Sequence, residues 1–326
     1  MTSPAPFAEI WRGPFLESVH SGHAVICDGA GEIIEAWGDP TATVLPRSSS
    51  KMIQALPLIR SGAAKAHGLG TEHLALACAS HNGAAIHIDR VGVWMDQLGL
   101  NDDAFRCGPQ QSRDKDIREA QIRAHETPCQ IHNNCSGKHA GFLTLAQHLG
   151  AGPEYVDPDH PVQRACLDAF EDLTGETSPG YGIDGCSAPN PAASLHGVAR
   201  AMARFATAPE GSAEAQLHEA MRLHPELVAG EGRACTELMR ATGGKVALKT
   251  GAEGFFIAIW PERGIGIALK AACGTTRAAE AAITALLVRL GALEAEHPAT
   301  LKRINAPITN WRGIQTGVLK PAAGLL

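Results

Sequence analysis

The stretch GFFIAIWPERGIGIALK, residues 254–270, says most about the fold. Two apolar runs, Gly254–Trp260 and Ile265–Lys270, flank a turn-forming Pro-Glu-Arg-Gly segment, which predicts two adjacent antiparallel strands. The N-terminal region has the same pattern, with Ser21–Cys27 and Glu32–Trp37 on either side of Asp-Gly-Ala-Gly. We therefore expect strands from both ends of the chain to join in one antiparallel sheet.

The remaining segments have helical patterns. Apolar residues at helical spacing predict a helix over about 275–290 that covers one face of the sheet. Further helices are predicted in the middle of the chain, at about 48–62, 85–98, 160–174, 190–206, 211–223 and 229–242. We predict an α+β fold with a single domain over residues 1–326, its sheet built from about 15–40 and 245–292 and a mainly helical lobe over about 48–242. A cleft between sheet and lobe is the expected place for a site.

Composition excludes several classes of function. The formal net charge is −6, without a dense Lys/Arg cluster, so we expect no nucleic-acid partner. The apolar runs are far shorter than the ~20 residues that a membrane-spanning helix needs. The N-terminus lacks a signal-peptide pattern, and nine cysteines at irregular spacing suit free thiols in a reducing compartment. These observations predict a cytoplasmic protein with no membrane partner.

The segment Arg47-Ser-Ser-Ser-Lys51 opens a predicted helix. Residues three apart on a helix share a face, so Ser48 Oγ and the Lys51 amine can meet. A serine becomes a strong nucleophile when a base accepts its proton, and a lysine can be that base. The same serines would also serve as a helix N-cap, so this motif alone does not establish catalysis.

Two more motifs follow in a fixed order. Ser80-His-Asn82 comes directly after an apolar run, and Lys249-Thr-Gly251 enters the strand beginning at Gly254. Each has an ordinary structural explanation, a turn for the first and a solvated strand end for the second. Together, Ser-x-x-Lys, Ser-x-Asn and Lys-Thr-Gly resemble the active-site set of serine β-lactamases and penicillin-binding proteins. That resemblance implies a serine β-lactamase-like fold.

Two further segments are not explained by that set. IHNNCSGKHAG, residues 131–141, and GIDGCSAP, residues 182–189, are rich in Gly, Asn and Ser, as ligand-binding loops tend to be. Cys135 and Cys186 lie in these polar surroundings, and thiolates there suit a soft metal ion, with Lys138 or His139 as a nitrogen donor. Paired Cys-x-x-Cys motifs are absent from these segments, so the metal signal is weak from spacing alone.

The blocks NNCSGKHAG, GIDGCSAP and KTGAEG, together with RSSSK, resemble the rhizobial-type L-asparaginases, also called the asparaginase II family. The similarity extends from about Val19 to Gly317. It implies a homodimer that hydrolyses L-asparagine to L-aspartate and ammonia.

The resemblance also implies the site residues. Two serine–lysine pairs match Ser48 with Lys51 and Ser80 with Lys249. The family's Zn²⁺ ligands match Cys135, Lys138 and Cys186. Asp184 matches a residue that holds the substrate's α-amino group. Two further matching positions, Arg47 and His139, line the pocket. Asn82 belongs to the second motif. Lys245 and Lys270 stay open as alternatives to Lys249.

The expected chemistry is acyl transfer. Ser48 attacks the side-chain amide, Lys51 takes its proton, and Ser80 with Lys249 relays a proton to the leaving ammonia. By analogy with β-lactamases, the backbone N–H groups of Ser48 and Ala252 form the oxyanion hole. Zn²⁺ is expected to shape the pocket and orient the substrate rather than supply a hydroxide.

Three other functions stay open from the sequence. A glutaminase needs the same chemistry on a side chain one methylene longer, and a pocket separates such substrates by only ~1–3 kcal/mol. A β-lactamase shares the three motifs. A non-catalytic amino-acid or zinc-binding module would not need the serine–lysine pairs. The sequence does not decide which of Ser48 and Ser80 is the nucleophile.

Overall fold

The computed structural model describes residues 3–325. Its strands are β1 (Ala5–Arg12), β2 (Phe15–Cys27), β3 (Ile33–Trp37), β4 (Thr43–Val44), β5 (Tyr181–Ile183), β6 (Pro189–Pro191), β7 (Ala193–Ser194), β8 (Ala247–Gly251), β9 (Phe255–Trp260), β10 (Ile265–Ala271), β11 (Ala306–Thr309) and β12 (Gln315–Pro321). Its helices are α1 (Lys51–Arg60), α2 (Ala63–Ala66), α3 (Thr71–Ala77), α4 (Ala85–Gln97), α5 (Lys115–Ala124), α6 (Ser136–His148), α7 (Pro161–Thr174), α8 (Leu195–Ala206), α9 (Ala213–Leu223), α10 (Pro225–Val228), α11 (Ala234–Ala241), α12 (Thr276–Arg289) and α13 (Pro298–Leu301).

The chain divides into two compact units. The sheet unit comprises the residues up to 49, 193–207 and those from 237 onward, and the helical unit comprises 50–192 and 208–236. The predicted helical lobe, 48–242, includes α8, which lies in the sheet unit. Whether the chain forms one domain stays a prediction.

The sheet unit confirms the α+β class and the joining of strands from both ends of the chain. Its antiparallel sheet has the order β11-β12-β1-β2-β10-β9-β8, and β3 also pairs with β2. Both predicted strand pairs are present, but β1, β11 and β12 lie outside the predicted sheet segments. The observed sheet is therefore larger than the predicted one, because it also includes β1, β11 and β12.

Helices α8 and α12 pack against this sheet. The α8 contact depends on Gly266 of β10, because a Cβ atom there would lie 2.1 Å from Ala203 N of α8. A glycine without a side chain lets a helix approach a strand this closely. The predicted helix over 275–290 is α12, and it packs on β1, β9 and β10.

The helical unit is built around α1 and α6. Helix α1 contacts α3, α6, α7 and α9, and it is buried from Lys51 to Leu58. Helix α6 is buried from Ser136 to Ala146. A helix buried on nearly every side shows no amphipathic period, and the polar start of α6 was predicted as a loop. That prediction is wrong: residues 136–141 are helical, and Cys135 is the N-cap.

The predicted helix over 48–62 also begins differently. Residues Arg47–Ser50 form a 3₁₀ turn, and the α-helix begins at Lys51. Ser48 therefore precedes the α-helix instead of opening it. Helices α3 and α5 were not predicted, and the segment over 190–206 is helical only from Leu195, since β6 and β7 occupy its start.

Candidate active site

Lys51 is the centre of a buried polar cluster in the helical unit. Its side chain is 1% exposed, and Nζ lies 3.0 Å from Ser80 Oγ and 3.1 Å from Cys135 Sγ. It also donates to the carbonyl of Ala79. These three contacts, from two separate segments, hold the Lys51 amine in place. Lys51 therefore connects the Ser-x-Asn motif to the segment that carries Cys135.

Ser80 follows the end of α3 and is 5% exposed. Its backbone N–H donates to Val228 O at 2.9 Å, which fixes the extended segment after the helix. The pairing of Ser80 with Lys249 stays a prediction, because these two residues belong to different units.

His81 links this segment to the start of α6. It is fully buried, its Nδ1 accepts the N–H of Gly83 at 3.1 Å, and its Nε2 lies 3.0 Å from Ser136 Oγ. Since Nδ1 is an acceptor, Nε2 carries the proton and donates to Ser136. Burial lowers the pKa of His81 well below its usual value, and the charges of His87 and Lys51 lower it further. Sequence reasoning gave His81 no role, although it is the middle residue of the second motif.

Cys135 is placed by an Asx-type turn. Its N–H donates to Asn133 Oδ1 at 2.9 Å, and the N–H of Ser136 donates to Asn133 O at 2.9 Å. At the next residue, a Cβ atom on Gly137 would lie 2.5 Å from Leu76 O, so this glycine allows α6 to pack closely on α3. The asparagine and glycine residues that suggested a loop therefore position the start of a helix.

Cys186 lies in the turn of the β5–β6 hairpin. The N–H groups of Asp184 and Ser187 donate to Ala188 O and Asp184 O at 3.0 and 2.9 Å. Ser187 has a φ of 70°, a left-handed conformation that allows the chain to reverse. The turn leaves Cys186 3% exposed and its Sγ 3.1 Å from Lys138 Nζ.

The two thiols are electrostatically different. A hydrogen bond from Cys135, together with Lys138 and His139, lowers the pKa of Cys186 well below that of a free thiol, although burial opposes this shift. The same hydrogen bond and burial raise the pKa of Cys135. Burial alone would lower the pKa of Lys138, but Cys186, Cys135 and Asp184 raise it above the ordinary lysine value. The cluster therefore favours a Cys186 thiolate beside a Lys138 ammonium.

His139 completes the cluster. Burial lowers its pKa to about 4, with Cys186 acting in the opposite direction, so the ring is neutral near pH 7. Nδ1 lies 2.8 Å from the hydroxyl of Tyr155. Among the residues that the structure describes, the buried Nε2 meets no partner at good hydrogen-bond geometry, although Cys186 is near enough to raise the pKa of the ring. A buried ring nitrogen of this kind is suited to a ligand.

The sheet unit holds the other predicted residues at the end of β8. Ser49 Oγ donates to Lys249 O at 3.0 Å, and a Cβ atom at Gly251 would lie 2.6 Å from Pro46 O. The 3₁₀ turn with Ser48 therefore packs directly against the Lys-Thr-Gly strand. Ser48 is half-buried there, whereas Ser49 is fully buried.

Three more predicted residues lie at this strand end. Lys249 is 1% exposed and its Nζ donates to Thr250 O at 2.8 Å. Ala252, the proposed oxyanion donor, is exposed in the turn after β8. Arg47 has a φ of 53°, an unusual left-handed conformation for a residue with a side chain. The pairing of Ser48 with Lys51 stays a prediction, because the two residues fall in different units.

The sequence motifs therefore lie in two groups of residues, one around Lys51 and one at the end of β8. Comparison with known proteins identifies the family of the chain. The family model for L-asparaginase II matches residues 8–321. The chain belongs to the L-asparaginase II family. It is accordingly an amidohydrolase of the asparagine-hydrolysing class. No curated protein sequence matches this asparaginase.

Solved structures resemble it only distantly. Mglu in its native form is 14% identical, with a TM-score of 0.46, over 86% of this chain and 66% of that chain. Mglu in its tris and glutamate form is 13% identical, with a TM-score of 0.48, over 91% and 64%. A β-lactamase from Mycobacterium bovis is 13% identical, with a TM-score of 0.46, over 83% and 95%. The asparaginase thus spans about two thirds of the Mglu chains.

Two features of the described residues bear on the remaining predictions. Within residues 3–325, no group of three or more His, Cys, Asp or Glu side chains is arranged to hold a metal ion. The predicted Zn²⁺ set contains only two residues of these types, so it stays a prediction, as does the homodimer. No helix of the described chain is long and apolar enough to cross a membrane. The cytoplasmic location stays a prediction as well.

Proposed function

We propose that this asparaginase hydrolyses L-asparagine to L-aspartate and ammonia through an aspartyl ester on Ser48. The observation that carries the proposal is the buried contact of 3.0 Å between Lys51 Nζ and Ser80 Oγ. A lysine beside a second serine can take a proton from a nucleophile and pass it on. Membership of the L-asparaginase II family supports asparagine as the substrate.

The difference in burial supports separate roles for the two serines. Ser48 is half-buried and Ser80 is 5% exposed. A nucleophile must reach the substrate carbon, whereas a relay must only reach its two proton partners. Ser48 is therefore the nucleophile of the proposal, and Ser80 is the relay. The spacing of three between Ser48 and Lys51 suits a 3₁₀ turn as well as an α-helix.

The reaction has two halves. Ser48 Oγ bonds to the side-chain amide carbon while Lys51 accepts its proton, and the charge on the carbonyl oxygen is met by the N–H groups of Ser48 and Ala252. The C–N bond then breaks, and ammonia leaves with a proton supplied through Ser80 and Lys249. Water hydrolyses the ester, which releases L-aspartate and returns the proton to Ser48.

The remaining predicted residues bind the substrate. Asp184 pairs with the α-ammonium group, as the family resemblance implies. Arg47, Asn82, Lys138 and His139 line the pocket around the amino acid. The neutral state of His139, which follows from its lowered pKa of about 4, allows it to face a cationic ammonium group without repulsion.

Zn²⁺ is part of the proposal because the donor set fits it. Cys135 and Cys186 are hydrogen-bonded to each other, Lys138 Nζ lies 3.1 Å from Cys186 Sγ, and His139 Nε2 is a buried nitrogen that meets no partner at good hydrogen-bond geometry among the described residues. Zinc binds thiolates and neutral amines, so its binding would displace the protons that Cys135 and Lys138 hold in this cluster. The ion would be held by Cys135, Lys138 and Cys186, and it would orient the substrate in the pocket without supplying a nucleophile.

Ammonia release from L-asparagine tests the proposal. The wild-type protein should release ammonia, and Ser48→Ala should lower kcat by at least about 10³-fold, because the nucleophile is lost. Hydroxylamine added during turnover should intercept the acyl group and release it as the β-hydroxamate of L-aspartate. In a separate sample quenched with acid and without hydroxylamine, mass spectrometry should find the ester on the peptide that contains Ser48. Unchanged release by Ser48→Ala, or an ester on Ser80, would contradict the assignment. L-Glutamine and a chromogenic cephalosporin, assayed in parallel, measure the two alternative activities.

A further inference from the structure

Asn82 is held between two segments that each carry an arginine. Its carbonyl accepts the N–H of Arg113 at 2.8 Å and the N–H of Asp114 at 3.0 Å. On its other side stands Gly230, with a φ of 112°, where a Cβ atom would lie 2.5 Å from Asn82 Cγ. The N–H of Arg233 donates to Gly230 O at 3.3 Å. The second motif is therefore flanked by Arg113 and by the turn that leads to Arg233.

The two guanidinium groups influence each other and the polar cluster. Burial lowers the pKa of Arg113, and the charge of Arg233 lowers it further, while Cys135 acts in the opposite direction. Arg233 also contributes to the lowered pKa of His81. Both cations therefore lie within electrostatic range of the residues around Ser80. Like charges held together in this way are unfavourable unless an anion lies between or beside them.

One guanidinium nitrogen is without an acceptor. Among residues 3–325, the buried Arg233 Nη1 has no hydrogen-bond partner. A buried donor without an acceptor costs free energy, and a charged one costs more than a neutral one. Thr236, in the first turn of α11, is already satisfied, because its Oγ1 lies 2.9 Å from Pro225 O and 2.7 Å from Gly230 O. The segment after Gly230 thus holds a buried guanidinium nitrogen that lacks an acceptor among the described residues.

We propose that Arg233, together with Arg113, binds the α-carboxylate of the amino-acid substrate. The planar fork of a guanidinium group matches a carboxylate with two parallel hydrogen bonds, which an ammonium group cannot supply. The Asn82 side chain is held against the same segment, because its Oδ1 accepts the N–H of Ala84 at 3.3 Å and its amide group lies against Gly230. The assignment rests on the proposed function, since it names the part of the substrate that this flank of the site recognises.

An amide substrate without the carboxylate separates this role from a structural one. Arg233→Met should lower kcat/KM for L-asparagine by about 10- to 100-fold, mainly through KM, as expected for a lost charge-assisted pair. For 3-aminopropanamide, which lacks the α-carboxylate, kcat/KM should change less than about twofold. Arg233→Lys should recover part of the loss. Arg123→Met is the matched control, because Arg123 is exposed on α5 and pairs with Glu119.

Binding of the product gives a readout that needs no turnover. By calorimetry, the wild-type protein should bind L-aspartate more tightly than β-alanine, which lacks the α-carboxylate, and Arg233→Met should abolish that difference. An equal loss for both amides, or an unchanged preference for L-aspartate in Arg233→Met, would overturn the inference. Sulfate that competes with L-aspartate and β-alanine alike would also overturn it. If asparagine is not hydrolysed but L-aspartate binding depends on Arg233, the proposed function fails and the carboxylate site stands.

Discussion

The sequence motifs are divided between two regions, the end of β8 and the cluster around Lys51. The residues of these two regions are held in place in different ways. At the end of β8, main-chain fit positions the residues: Gly251 leaves room for Pro46 O, and Ser49 bonds to a backbone carbonyl. Around Lys51, charged and sulfur-containing side chains from separate segments contact one another. Steric substitutions should therefore damage the first region, and charge-changing substitutions should damage the second.

The largest effect is expected from Lys51→Met. It removes the proposed base and the donor to Ser80 and Cys135, so kcat for L-asparagine should fall by about 10³-fold. Steady-state ammonia release measures the loss, and thermal unfolding shows whether the variant folds. Lys65→Met is the control, since Lys65 is exposed in the same unit. A kcat within tenfold of the wild-type value would mean that Lys51 is not the base.

Gly251→Ala tests the first region. The added Cβ atom would lie 2.6 Å from Pro46 O and 2.9 Å from Ser49 Oγ, and a backbone carbonyl cannot move aside cheaply. The free energy of unfolding should fall by about 1–3 kcal/mol, measured by urea denaturation. Gly324→Ala should change it far less, because a Cβ atom there meets nothing within 4 Å. Equal effects of the two substitutions would show that the strand end is not closely packed.

Removal of Zn²⁺ tests the second region without a mutation. A chelator should raise KM for L-asparagine by about tenfold, with little change in kcat, because the ion orients substrate in the proposal. Metal analysis before and after dialysis shows whether zinc was present. Complete loss of turnover at saturating substrate, restored by added zinc, would instead make the ion part of the chemistry.

The smallest effect concerns a charged group in the sheet unit. Glu237 accepts from Lys302 Nζ at 2.7 Å and from Arg303 Nη2 at 2.5 Å. Burial raises the pKa of Glu237, but these two hydrogen bonds outweigh it and lower the pKa below its usual value. The carboxylate therefore stabilises the fold above the pKa of an unfolded glutamate, and this contribution is lost as the pH falls through the folded value.

Glu237→Gln should accordingly lower the free energy of unfolding by about 1 kcal/mol at pH 7, and the difference from wild type should shrink on acidification. Urea denaturation at a series of pH values measures both. Glu119→Gln, which removes an exposed partner of Lys115 and Arg123, should change stability by less than about 0.5 kcal/mol. If the difference for Glu237→Gln did not depend on pH, the pairing would not be electrostatic.

The sequence predicts the fold best where the pattern is regular. Strands β9 and β10 and helix α12 have clear apolar periods and lie within one or two residues of the predicted bounds. Strands β11 and β12 were missed because Pro307, Gly317 and Pro321 interrupt their pattern. Proline is tolerated there, since β11 is an edge strand whose outward N–H groups need no partner.

The candidate site is predictable only in part. Ser-x-x-Lys spacing points to Lys51, but its contacts with Ser80 and Cys135 depend on how α1, α3 and α6 pack, which no short motif encodes. The Asx-type turn at Asn133 looks like a loop until the buried helix after it is known. Arg113 and Arg233 belong to no motif. Their segments meet at Asn82, through a hydrogen bond to its carbonyl on one side and the close approach of Gly230 on the other.

The strand order of the sheet unit has a consequence for synthesis on the ribosome. Strands β1 and β2 emerge first and pair with each other, yet their other partners, β12 and β10, are made in roughly the last fifth of the chain. Until then β1–β3 have unpaired edges, which attract other chains. Most of the helical unit lies within 50–192 and emerges in one piece. We expect the helical unit to fold first, whereas the sheet cannot be completed until β10 and β12 have been made. The yield of native protein should therefore depend on chaperones that shield β-strand edges.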